Sequence, residues 1–311
     1  MTTQADYALQ AVKGISHVFN NAAKNRLMEY AKTELFDWRA SSEISTIFTS
    51  TESMSGVKEL AETETPPTLS LEDGYSVTLT EKRFGGGIAL PEGTYRRAGK
   101  DMTLKVDEYL KNQRDTLLLA TTNYMLNQVF LMLNEAFDNT SDYLAPDGVE
   151  LCGTHSWASG ATFSNAATAA LSEAAVDTAE IYAGAFTDAA GIPYPLSWDT
   201  IVVKKGSDTE RTAIRIFAKE IAPTAVADIN VYEGMLKIVS TPYITAANAN
   251  YWFLMDTTKG RMPLHVGVGE YPTLREPIKD KSETITTNAT GFWKQGVSNM
   301  PYCIYGSNGT T

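Results

Sequence analysis

Cysteine and histidine are scarce in this chain of 311 residues: only Cys152 and Cys303, and only His17, His155 and His265. Two thiols cannot staple a small secreted scaffold, and they suit a reducing compartment. Metal sites need clustered thiolate or imidazole ligands. The sequence offers one C-x-x-H half-site, Cys152 with His155, which Cys303 or His265 would have to complete. A turn held by backbone hydrogen bonds is the simpler reading, and no metal or cofactor is expected. Catalytic strings are missing too. There is no G-x-x-x-x-G-K-[ST] phosphate loop and no G-x-S-x-G nucleophile elbow, and the triple glycine at 85–87 leads into a strand, the wrong context for a dinucleotide site. Acids are plentiful enough for a carboxylate pair, yet no clustering of aromatic, Arg or His residues singles two of them out. The expectation is therefore no enzyme, with an unrecognised hydrolase as the remote alternative.

Long apolar runs are absent as well. The longest, LLLA at 117–120 and VFLML at 129–133, fall far below the ~20 residues of a membrane-spanning helix. The start, MTTQADYALQAVKG, carries no basic segment followed by a hydrophobic one, so no signal peptide is expected and the protein reads as soluble and intracellular. Hydrophobic residues at 43% and charged residues at 20% exclude a wholly disordered or collagenous chain. At this length roughly three quarters of the surface can be buried without disulfides.

Basic residues are missing from one window altogether. Between Arg114 and Lys204 there is no Lys or Arg, while eleven Asp and Glu fall there, equal to the whole net charge of −11. The segment just before it, Lys82 to Arg114, is enriched in Lys82, Arg83, Arg96, Arg97, Lys100, Lys105, Lys111 and Arg114. A basic strip beside an acidic strip suits either two solvated faces or self-association between copies. A nonspecific DNA binder would need a large basic face, which is not supplied.

What is present reads as follows. Apolar residues from Tyr7 to Leu35 recur at helical spacing. Residues 50–73 are polar, acidic and interrupted by Pro66 and Pro67; an alternating strand at 75–79, a flexible bend at 85–87 and a second strand at 88–90 complete an extended hairpin arm over 50–98. No Gly or Pro occurs from Met102 to Phe137, which allows one long helix, exposed in its first half and buried in its second. A turn-rich stretch follows, then a helix starting at Ser172, a loop at 188–198, a strand at 200–205, a helix in SDTERTAIRIFAKE, strands in MLKIVSTPYI and YWFLMDTT, and short strand-like pieces ending in a frayed GSNGTT.

This order resembles the major capsid proteins of tailed phages with the Hong-Kong-97-like (HK97-like) fold, including the Mu-like head subunits. The local match lies in DGVELCGTHSWASGATFSN followed by LSEAAVDTAEIYAGAFTDAAGIPYPLSWDTIVVKK, through Asp147, Gly148, His155, Asn165, Leu171, Ser172, Asp188, Gly191, Pro193 and the strand from Ile201 to Val203. The later MLKIVSTPYI and NYWFLMD are similar to paired strands of that family's axial domain. The resemblance covers roughly residues 40 to 300.

It implies an α+β fold and the following domains: 1–49 an N-terminal arm, 50–98 the extended loop (E-loop), 99–190 the peripheral domain with a spine helix at about 102–137, 191–262 the axial domain, and 263–311 a return to the peripheral domain. It implies a virion protein, assembled in the bacterial host cytoplasm, that closes as pentamers and hexamers into an icosahedral shell around double-stranded DNA. An encapsulin-type nanocompartment is the alternative with the same fold. The partner is the chain itself, with scaffolding, portal and decoration proteins as further candidates and no membrane. The chain begins almost at the arm, so a scaffold would be separate or already removed. Lys58 and Lys82 fall in the loop, but nothing else marks a crosslinking pair, and none is expected. Lys82, Arg83, Gly85, Gly86, Gly87, Arg96, Arg97 and Lys100 are the candidate assembly-interface residues.

Overall fold

The N-terminal apolar spacing forms one helix, α1 (Gln4–Ala31), which buries Ala8, Val12, Phe19, Ala23 and Leu27 along a single stripe. The computed structural model describes residues 4–51, 59–60, 65, 73–97, 102–218, 230–258 and 262–310. After α1 come β1 (Asp37–Ala40), β2 (Ser45–Thr51), β3 (Asp73–Thr80), β4 (Lys82–Leu90), α2 (Glu92–Arg97) and α3 (Met102–Asn134). Then follow β5 (Thr154–Ser156), β6 (Thr162–Ser164), β7 (Ala166–Ala167), α4 (Glu173–Ala185), β8 (Thr200–Lys204) and α5 (Asp208–Phe217). The last strands are β9 (Lys237–Thr241), β10 (Trp252–Met255), β11 (Leu264–Leu274), β12 (Ile278–Lys279), β13 (Ile285–Val297) and β14 (Ile304–Ser307). The class is mixed α+β.

Two five-stranded sheets organise these elements. The first runs β1-β11-β13-β12, with β4 also pairing β13; the second runs β7-β14-β10-β8-β9. The long helix α3 has 33 residues, ~50 Å at 1.5 Å per residue. Burial concentrates in its second half, at Met125, Leu126, Val129, Phe130, Met132 and Leu133, as the sequence led us to expect. These side chains meet Leu264, Val266 and Val268 from the first sheet and Val202, Phe253 and Met255 from the second in one core. The opposite face of the second sheet, Ile201, Val203, Trp252, Leu254 and Tyr305, packs under α4 and α5 in another core. Burial on both faces is why β8 reads as an unbroken apolar run instead of an alternating one.

Helix ends are fixed by specific polar groups. The side chain of Ser172 accepts from Ala175 N at the start of α4, and that of Ser207 accepts from Glu210 N at the start of α5. At the end of α3, Asn248 Nδ2 donates to the Asn134 carbonyl at 2.7 Å, and Asn134 Nδ2 donates to Tyr243 O at 2.9 Å. The last turn of the long helix is thereby tied to the segment following β9.

Four expectations change. The glycines at 85–87 are no bend: they lie inside β4, whose register with β13 runs unbroken from Lys82 opposite Trp293 to Leu90 opposite Ile285. The strand at 75–79 does not pair with that at 88–90, because β3 pairs β2 and β4 joins the first sheet. The strands in MLKIVSTPYI and YWFLMD do not pair with each other; β9 lies parallel and β10 antiparallel to the central β8. The tail is not short pieces with a frayed end, since β11 and β13 have 11 and 13 residues and Gly306 and Ser307 are buried in β14. Helix α4 packs with β8 and α5, and β14 is a strand of the second sheet.

Candidate assembly surface

A two-stranded ribbon, β2 with β3, packs on the body of the molecule, and its alternation gives it two unlike faces. Thr46 and Phe48 with Val77 and Leu79 form the inner face; Ser45, Ile47 and Thr49, opposite Thr80, Thr78 and Ser76, form an exposed outer face. The inner face lies on the first sheet, where β11 and β13 present glycines. A Cβ at Gly296 would strike Leu79, and one at Gly269 would strike Glu81. Glycine is present here to let another strand approach closely.

The root of the ribbon is tied by polar contacts as well. Lys294 is 1% exposed, its stem lies along Gly267, and its Nζ donates to Glu43 O at 2.8 Å. Asn299 Nδ2 donates to Thr49 O at 3.0 Å, and Phe48 packs edge-on against the buried His265 ring, centroids 4.7 Å apart. His265 Nδ1 is 3.2 Å from Asp37 Oδ2, and Arg39 Nε donates to Asp37 Oδ1 at 2.7 Å. Burial pushes the Asp37 carboxyl up, but these bonds outweigh it and hold the group below its usual range. A cavity of about 420 Å³ lined by Asp37, Arg39, Phe48, Met262, Ser298, Asn299 and Met300 adjoins this root.

A second polar cluster joins the chain after α3 to its C-terminal strand. Asp147 accepts from His155 Nδ1 at 3.0 Å and from Ser156 N at 3.1 Å, while His155 Nε2 faces Leu151 O at 3.2 Å. Burial raises the Asp147 carboxyl, yet the hydrogen bond and charge of His155 more than compensate, so it sits below the ordinary value. Asn165, fully buried, accepts from Gly153 N at 2.9 Å and donates to Leu151 O, Pro301 O and Ile304 O at 2.9, 2.9 and 3.1 Å. Both ring nitrogens of His155 are engaged, and Ser156 points to the other side of β5. The pair is a structural clamp between the turn after α3 and β5. Among the described residues no group of three or more His, Cys, Asp or Glu is placed to hold a metal ion, and no helix is long and apolar enough to cross a membrane.

The expected interface residues fall in two places. Lys82 and Arg83 open β4 with exposed side chains, Arg83 lying 5.9 Å from the Phe292 ring centre, and Gly85, Gly86 and Gly87 follow on the same strand. A Cβ at Gly85 would meet Ala289 O at 2.5 Å and one at Gly86 would meet Leu117 of α3 at 3.0 Å, so these glycines serve close packing. Arg96 and Arg97 lie on α2, and Lys100 falls outside the described residues, as does Lys58. The acidic window is not one continuous strip. Asp147 is enclosed by the clamp, and Asp199 accepts from Thr257 N and Oγ1. The sequence reading missed Lys294 and the glycine floor. The signal was there in Gly267 and Gly269 at strand spacing, which puts both on one face.

No family model and no curated protein matches the chain. Among solved structures, a chain of Mycobacterium phage Patience shares the fold, with TM-score 0.52 at 13% identity over 94% of this chain and 87% of that one. Weaker likenesses are to Microbacterium phage Oxtober96, TM-score 0.49 at 9% identity, and to the cyanophage Pam1 capsid asymmetric unit, TM-score 0.49 at 10% identity, each covering 88% of both chains. The Patience chain is from a phage, the group to which the sequence resemblance pointed.

Proposed function

We propose that this protein is the major capsid (head) subunit of a tailed phage, assembling as pentamers and hexamers into an icosahedral shell that encloses double-stranded DNA. The observation that carries the reading is the two-faced ribbon. Its inner face is seated on glycines of its own sheet, while Ile47 at 65% exposure stands on the outer side among Ser and Thr. The fold shared with a phage chain along 94% of the sequence supports it. In this reading the β2–β3 ribbon and the residues it connects are the extended loop, α3 is the spine helix, and α1 is the N-terminal arm. The first sheet belongs to the peripheral domain, and the second sheet with α4 and α5 to the axial domain.

No bond-making chemistry is involved. Each subunit meets several neighbours, and closure of the lattice multiplies modest affinities. Lys82, Arg83 and the α2 segment with Arg96, Arg97 and Lys100 meet acidic surface of a neighbour, setting register and association rate.

The test is sedimentation and negative-stain microscopy of the purified protein. Regular hollow particles are expected, with lower yield for R96E/R97E/K100E and slower assembly at raised salt. A monodisperse monomer at high concentration refutes the proposal. Particles sealed around a co-purifying protein cargo would make the chain a nanocompartment shell instead.

A further inference from the structure

The hairpin β5–β6 and the C-terminal end of α4 border a cavity of about 270 Å³. Four aromatic side chains wall it: Trp157 and Phe163 from the hairpin, Tyr182 and Phe186 from α4 and its cap. Their rings are inclined to one another, Trp157 to Phe163 at 47°, Phe163 to Phe186 at 85° and Tyr182 to Phe186 at 56°, so the wall presents ring faces as well as edges. Three of them are held by stacked rings that do not line the cavity: His155 on Phe163 at 5.1 Å, Tyr302 on Phe186 at 5.1 Å and Trp198 on Tyr182 at 6.3 Å. The wall is therefore shaped before anything enters it.

The charge around the cavity has one sign. Asp188 lines it; Oδ1 of this carboxylate accepts from Ala190 N at 3.0 Å and Ile192 N at 2.9 Å, while Oδ2 accepts no hydrogen bond and faces no cation among the described residues. Helix α4 ends here at Ala185, also in the lining, with no basic residue in its last turn, so the negative end of its dipole has no counter-charge. Every lining residue lies in the window between Arg114 and Lys204 that has no Lys or Arg. An aromatic wall beside an unpaired carboxylate attracts a cation through the negative ring faces as well as through charge. A bare metal ion is the wrong occupant, because hard cations take about six or more oxygen ligands and the lining offers a single carboxylate among rings.

We propose that this cavity binds an organic cation, an ammonium or guanidinium group on an apolar stem, with the positive head against the rings beside Asp188 and the stem along the rest of the aromatic wall. The same chemistry is carried by a free small molecule and by a basic side chain of a second copy. The proposal stands independently of the capsid reading, since every group it uses belongs to one subunit.

The probe is choline, set against dimethylbutanol, its uncharged isostere, in saturation-transfer NMR titrations of the dissociated subunit. Choline is expected to bind at least tenfold more tightly than the isostere, because only the cation gains from the ring faces and the carboxylate. Asp188→Asn keeps an Oδ1 acceptor for the loop while removing the charge, and Trp157→Leu keeps the wall apolar while removing a ring. Each should weaken choline at least threefold and change the isostere by less than twofold, and circular dichroism melts check that both variants fold. Choline binding that persists in assembled particles identifies the occupant as a free small molecule, whereas binding lost on assembly identifies it as a basic side chain of a neighbouring copy. Equal affinity for choline and the isostere overturns the proposal, as does a subunit that binds no choline or a folded Asp188→Asn variant that binds it as tightly as the unaltered chain.

Discussion

Replacing Asn165 by alanine tests whether the two cores are held together by one carboxamide. The side chain is fully buried and makes four hydrogen bonds between 2.9 and 3.1 Å. Not all of its partners are orphaned by the change. Leu151 O retains the His155 ring and Pro301 O retains the Ile304 amide, so each loses one of two donors. The Gly153 N–H loses the acceptor shown for it, and an unsatisfied buried donor costs ~1–3 kcal/mol, against ~0.5–1.5 for each bond lost at a carbonyl that keeps a partner. The expected loss is about 4 kcal/mol, a large part of the ~5–15 typical of a folded domain. Asn165→Asp should be at least as harmful: it keeps the acceptor for Gly153 but turns a carboxylate toward three carbonyl oxygens with no proton to offer. The assay is urea unfolding of the dissociated subunit, followed by circular dichroism and tryptophan fluorescence. A loss below about 1 kcal/mol for the alanine variant, or an aspartate variant more stable than the alanine one, refutes the reasoning.

Three further outcomes are expected. Gly296→Val drives a side chain into Leu79 and should lift the ribbon root, at ~1–3 kcal/mol of overpacking; limited proteolysis between residues 41 and 81 should quicken severalfold, and an unchanged cleavage rate counts against the seating. Lys294→Met keeps the stem packed along Gly267 while removing a buried ammonium bonded to the Glu43 carbonyl, so stability should hold or rise; a loss above ~2 kcal/mol in urea unfolding contradicts this. Asp147 and Asp37 are both held below their ordinary carboxyl values, so their contribution is complete above about pH 4 and is lost as pH falls through the folded values. The urea midpoint should therefore drop between pH 5 and pH 3, less so in D147N; a flat profile would remove both pairs from the stability of the fold.

Local chemistry made much of the fold legible. An uninterrupted stretch without Gly or Pro meant one long helix, and Ser172 marked the start of α4, where its hydroxyl accepts Ala175 N. Pairing was not legible, because a strand's sequence records which face is buried and not which neighbour buries it. The glycines at 85–87 illustrate the difference. In isolation they read as a bend, since glycine is permissive; in the fold they are where β13 and Leu117 press closest on β4. Lys294 was invisible for a related reason. A lysine between Trp293 and Gln295 looks like a solvated residue until a strand root 251 positions away supplies a carbonyl for its ammonium.

The same contrast bears on how far the chain completes its own structure. A two-stranded ribbon is marginal by itself, which made a partner look necessary for the whole arm. The root does not need one: Leu79 on Gly296, Phe48 on His265, and the bonds from Lys294 and Asn299 fasten the inner face to its own body. The demand for a partner therefore narrows to the outer face, where Ile47 is opposite Thr78 amid exposed Ser and Thr side chains. Such a face is β-branched enough to pack against another strand or helix and polar enough to remain soluble until it does. A firmly seated root with an uncovered outer side is what a subunit needs if it is to meet its neighbours already shaped for contact, because ordering the ribbon before association lowers the entropic cost of each interface.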